Sequence, residues 1–172
     1  MITPTSDRGT KQVHDGQDFV EFTRTFRAPA EDVWAAVTDP GRLARWIGSW
    51  RGDPADGEVW FRMLFEGDEI PEEHMAIHQC DAPHRLRVTS TSPSEEGPQV
   101  WDFRIDLVEA NGVTTLTFAQ SVPDAQLAEG VGPGWQYYLD RLMLAETGAD
   151  PADIDFDDYY PALKEHYREL FA

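Results

Sequence analysis

From Asp18 the chain alternates in period two, with Phe19, Glu21, Thr23 and Thr25 set against Val20, Phe22, Arg24 and Phe26. This is the pattern of a half-buried strand, and Pro29 stops it. The next segment, Ala28-Pro-Ala-Glu-Asp, puts proline at a first helical position and acids in the first turn, where they favour the helix dipole; Val33 and Val37 mark its inward face. Thr38-Asp39-Pro40 ends that helix and starts a second, with Asp39 as its cap and Leu43, Trp46 and Ile47 as its apolar side.

From Gly57 the period returns to two through a run of antiparallel strands. Val59, Phe61, Met63 and Phe65 form the buried set of the first, leaving Trp60 and Leu64 on the other face, where the two short helices are expected to cover them. Further strands carry Met75 and Ile77, then Leu86 and Val88, followed by a polar loop from Ser90 to Pro98. Trp101, Phe103, Ile105 and Leu107 alternate cleanly with Asp102, Arg104 and Asp106, and Asn111-Gly112 supplies the positive φ angles of a tight hairpin. The returning strand turns Leu116 and Phe118 inward.

Beyond Pro123 the pattern becomes helical, weakly at first. After an expected break at Gly130-Val-Gly-Pro-Gly it runs from Trp135 to about Glu146, with Trp135, Tyr138, Leu139 and Leu142 on one face and Gln136, Asp140 and Arg141 looking outward. Three segments follow: a flexible N-terminal extension (1–17), one domain (18–147), and an acidic, aromatic tail (148–172) with a short helix around Leu163, Tyr167 and Leu170 that docks on the domain. Strands that close on themselves before a long terminal helix imply an α+β fold with a curved antiparallel sheet wrapped around that helix and two short helices after the first strand.

Composition narrows the function. A length of 172 residues suffices for a self-supporting core, and the one cysteine, Cys80, excludes an intramolecular disulfide and a cysteine zinc site. A formal charge of −18 argues against nucleic acid and anionic lipid surfaces. With no signal-like or membrane-spanning apolar run, the expectation is a cytoplasmic protein that does not insert into membranes.

Several short motifs then fall in a recognisable order: Ala28-Pro29, Val33-Trp34, Thr38-Asp39-Pro40, Leu43, Trp46, Gly57, Glu73-His74, Pro83 with Arg85-Leu86, Thr115-Leu-Thr, and Gly134-Trp135 with Leu139, Asp140 and Leu142. Together they resemble the Hsp90-ATPase-activator-homologue (AHSA1-like) family of the START-like, or Bet v 1-like, helix-grip superfamily (SRPBCC). The resemblance covers about Asp18 to Glu146. This chain departs from it in reading Trp46-Ile47 where the family often has paired tryptophans, and in its two terminal extensions. Relatives of this fold include lipid and steroid carriers, cyclases and co-chaperones, so fold does not settle activity.

Strand parity nominates Phe61, Met63, Phe65, Met75, Ile77, Leu86, Val88, Trp101, Phe103, Ile105 and Phe118, facing Trp135, Tyr138, Leu139 and Leu142 on the helix. These side chains either line a cavity of roughly 300–1,000 Å³ suited to an apolar ligand or fill the space as core. The expectation is non-catalytic binding of a hydrophobic small molecule or lipid by a carrier or sensor, with a cyclase or dehydratase using the same cavity, or a co-chaperone-like protein-interaction module, as alternatives. A monomer and a homodimer are both open, as is a protein partner.

No catalytic constellation stands out. His74 and His78 beside Glu72 and Glu73 are too far apart for one ion, because four strand residues span about 13 Å. Asp153, Asp155 and Asp157 resemble a calcium loop but lack its sixth-position glycine and its final glutamate. There is no Gly-x-Ser-x-Gly turn, phosphate loop or dinucleotide fingerprint, so neither metal nor cofactor is expected.

Overall fold

A computed structural model describes residues 6–172. Its α+β architecture has strands β1 (Thr10–His14), β2 (Gln17–Phe26), β3 (Gly48–Arg51), β4 (Glu58–Met63), β5 (Glu73–Asp81), β6 (Arg85–Ser92), β7 (Gln99–Ala110) and β8 (Val113–Ser121). Helices α1 (Ala30–Thr38) and α2 (Pro40–Leu43) follow β2, and α3 (Ala125–Glu146) and α4 (Lys164–Leu170) follow β8. The eight strands form one sheet in the order β1-β2-β8-β7-β6-β5-β4-β3. The chain divides into two compact units, one of residues 25–118 and one made from residues 1–24 and 119–172.

In the 25–118 unit the turn chemistry behaves as the sequence predicts. The Asp39 side chain accepts a hydrogen bond from the Arg42 N–H at the start of α2, with Pro40 in the first turn. Asn111 and Gly112 take φ of 54° and 78°, closing the β7–β8 hairpin. Val33, Leu43, Trp46 and Ile47 are buried, and the Trp46 indole N–H donates to the Ala36 carbonyl at 3.0 Å, satisfying the polar end of a buried ring.

In this unit one strand is added and two expectations are corrected. Gly48–Arg51 adds the edge strand β3, which four residues opening on a glycine do not advertise; a Cβ at Gly48 would overlap the Arg62 carbonyl, so the glycine permits the pairing with β4. β6 runs through Ser92, so the loop placed from Ser90 starts three residues later, at Pro93; Ser90 is fully buried in the ladder rather than exposed in a turn. Trp60 and Leu64 are not covered by helices. Both are exposed, and Trp60 lies between the Arg51 guanidinium, 5.7 Å from its ring, and the His74 ring at 5.0 Å.

The other unit is built around α3. The expected break does not occur: α3 is continuous over 22 residues and carries Pro133 inside it. Gly132 has a packing reason, because a Cβ there would overlap the Tyr167 ring, which is itself fully buried. Gln136, Asp140 and Arg141, read as outward-facing, are covered instead. Gln136 is 0% and Arg141 4% exposed.

The tail supplies what a buried polar face requires. The Tyr167 hydroxyl donates to Gln136 Oε1 at 2.6 Å and accepts the Gly9 N–H at 2.9 Å, while the Tyr159 hydroxyl donates to Asp140 Oδ2 at 2.6 Å. Ser6 donates to the same carboxylate and Arg24, in the inward row of β2, pairs with its other oxygen at 3.3 Å. Lys164 and Arg168 add ion pairs to Glu129 of α3. Within the segment read as a flexible extension, Thr10–His14 is ordered as β1 against β2; residues 1–5 of that segment lie outside the described residues.

Candidate functional site

Directly opposed residues of an antiparallel ladder project to the same face. The registers Trp50↔Phe61↔Glu73, Val59↔Met75↔Ser90↔Trp101, Ile77↔Val88↔Phe103 and Leu86↔Ile105 therefore define one face of β3–β7. Eight of the nominated residues stand on it with Val59 and Trp50: Phe61, Met75, Ile77, Leu86, Val88, Trp101, Phe103 and Ile105. Met63 shares their parity at the end of β4. Phe118 of β8 meets Phe103 with ring centroids 6.1 Å apart.

Phe61 and Phe118 are buried, whereas Met63, Met75, Ile77, Leu86, Val88, Trp101, Phe103 and Ile105 are only half-buried. The face is rich in large apolar side chains and not fully covered. Phe65 lies past the end of β4 and is 44% exposed, because the strand stops at Met63. Trp135, Tyr138, Leu139 and Leu142 belong to α3 in the other unit. Tyr138, Leu139 and Leu142 are buried there, and the Trp135 indole N–H donates to the Gln120 side chain.

Two polar residues on the sheet face were not nominated. Ser90 donates from its hydroxyl to Glu73 Oε2 at 2.8 Å. Glu73 stands opposite Phe61, and Ser90 stands between Met75 and Trp101 in the register, so a half-buried carboxylate and a fully buried hydroxyl sit within an aromatic and thioether frame. Their signal was available: Glu73 has the parity of Met75 and Ile77, and Ser90 that of Leu86 and Val88.

The opposite face is charged. Arg51 makes a two-pronged contact with Glu72 at 2.8 and 3.1 Å, and this hydrogen bond holds the Glu72 carboxyl below the usual carboxylate range. His74 bonds Glu58 at 2.8 Å, His78 at a β-bulge bonds Thr89, and Arg87 grips Asp106. Each histidine has a local partner of its own. Among the described residues no group of three or more His, Cys, Asp or Glu side chains is placed to hold a metal ion.

Residues 27–145 match the family model described as Activator of Hsp90 ATPase homolog 1-like protein. The chain belongs to this family. Among solved structures, CalU16 from Micromonospora echinospora superposes with a TM-score of 0.73 at 23% identity, over 97% of this chain and 98% of that one. The BPP1335 protein of Bordetella parapertussis gives 0.70 at 22% identity over 98% and 95%. DynU16, from the dynemicin biosynthetic locus, gives 0.56 at 24% over 77% of this chain and 49% of that one. At such identities these structures establish the fold, the α+β helix-grip class, and the family membership leaves ligand binding, cyclase-like activity and a co-chaperone-like role all open. No curated protein matches the chain. Among the described residues no helix is long and apolar enough to cross a membrane.

Proposed function

We propose that this family member binds a hydrophobic small molecule or lipid without transforming it, as a cytoplasmic carrier or sensor, and that the apolar face of β3–β7 is the wall against which the ligand lies. The observation that carries this reading is the half-open state of Met75, Ile77, Val88, Trp101, Phe103 and Ile105 on one continuous face. Side chains of this size in a closed core are ordinarily covered, since each stabilises by about 1.5–3 kcal/mol when fully buried. A set left half-covered retains apolar area for a ligand to remove from water. Native mass spectrometry of protein purified from its own cells tests the reading: a co-purifying apolar molecule at one per chain supports it, and ligand-free protein that also fails to take up extracted lipid overturns it.

A second reading, a cyclase or dehydratase, is favoured by one observation: Glu73, a group able to move a proton, stands on the same face. It prevails if the co-purified molecule changes mass on incubation with the native protein but not with the Glu73→Gln variant.

A further inference from the structure

We infer that the Glu73–Ser90 pair selects the ligand's chemical class: an apolar molecule that carries one hydrogen-bond donor, a hydroxyl or a protonated amine. The inference rests on the binding reading above and goes further by naming which molecules the face accepts. Ser90 is fully buried, and its hydroxyl is committed as a donor to Glu73 Oε2 at 2.8 Å. That bond ties one carboxylate oxygen to the sheet. A carboxylate has about four lone-pair sites and no donor when ionised, so one bond from Ser90 leaves acceptor capacity for a ligand on the same face.

The neighbours sharpen this. Phe61 stands directly opposite Glu73, and Met75 and Trp101 flank Ser90 on either side in the ladder, so the polar pair is a small acceptor site in an otherwise apolar surface. A ligand lacking a donor would strip water from Glu73 without replacing its hydrogen bonds, which is costly for a charged group. A ligand acceptor placed there would meet like-signed charge. The site therefore discriminates by penalty as much as by attraction, as polar groups in apolar pockets do.

The test uses four probes of one ring size: 2-naphthol, 2-naphthylmethylamine, 2-methoxynaphthalene and 2-methylnaphthalene, titrated by their own fluorescence into the full chain. The two donors are expected to bind the native protein at least about tenfold tighter than the two non-donors, the scale of a hydrogen bond to a charged group. In Glu73→Leu the preference disappears while 2-methylnaphthalene binds as well or better. Glu73→Gln, which keeps the shape and an acceptor oxygen, serves as the second variant; it loses most of the preference for the amine and less of that for naphthol. Equal affinity for all four probes, or a donor preference that survives both substitutions, overturns the selectivity while leaving apolar binding intact. No binding by any probe overturns both.

Discussion

Two regions of the same sheet treat similar side chains differently. In β2 and β8 the inward residues Val20, Phe22 and Leu116 are at most 1% exposed, while in β5–β7 the equally apolar Ile77, Val88, Trp101 and Phe103 stay half-open. The closed region also spends its polar groups internally: Arg24, Asp140, Gln136, Tyr159 and Tyr167 bond one another. On the open face the corresponding polar pair, Glu73 and Ser90, is small and keeps an acceptor in reserve. One region closes on its own polar network; the other, on the proposed reading, leaves its apolar face for a ligand.

Substitutions can break this contrast in order of size. Tyr167→Ala removes a fully buried ring and two hydrogen bonds, and is expected to cost about 4 kcal/mol, lowering the Tm by about 10 °C. Asp140→Ala leaves Arg24, 7% exposed, as a buried charge without its carboxylate, at about 3 kcal/mol, read from urea denaturation. Phe103→Ala on the open face should cost only about 1–2 kcal/mol, because a half-covered ring has less to lose, yet it should weaken apolar-probe binding severalfold. If Phe103→Ala proves as damaging as Tyr167→Ala, the face is ordinary core.

Alkaline and acid pH separate the regions more finely. Burial pushes the Tyr167 hydroxyl up to about 12 from 10.0, with the Gly9 N–H opposing the rise, and burial followed by the Asp140 hydrogen bond raises Tyr159 as well. A pKa raised by folding contributes stability that is complete below pH 10 and is lost as pH climbs toward 12. The native protein should therefore unfold in that window, with its tyrosinate absorbance rising in step, and Tyr167→Phe should flatten the stability loss. His166 shows the smallest effect. Burial, reinforced by Arg8, lowers its pKa, so its contribution is present above about pH 6.5 and fades as pH falls, giving a slight loss of Tm near pH 5 that His166→Gln removes.

Much of this was legible along the chain, and the failures share a cause. Period-two runs placed β2, β4, β7 and β8, and Asp39-Pro40 and Asn111-Gly112 placed a helix start and a hairpin, because such signals are local. The continuity of α3 through Gly132-Pro133 was not legible, since it depends on Tyr167, 35 residues later, seating on Gly132. The same holds for Gln136, Asp140 and Arg141: polar residues on a helix read as solvent-facing until a distant tail brings them partners. On the candidate site, parity placed the apolar residues from Phe61 to Ile105 on one face of the sheet but overran the end of β4 at Phe65. Glu73 and Ser90 were passed over because an acid beside histidines and a serine before Thr-Ser-Pro look like surface and loop, although their parity matched the face.

The central claim is that the β3–β7 face takes up an apolar ligand, and the most direct measurement is a titration of the full chain with N-phenyl-1-naphthylamine, comparing the native protein with Trp101→Asp. The account predicts a saturable fluorescence rise at one probe per chain that is lost in the variant while its circular dichroism and Tm stay close to native. A native protein that gives no saturable rise, or a variant that binds the probe as well as the native chain, would contradict it.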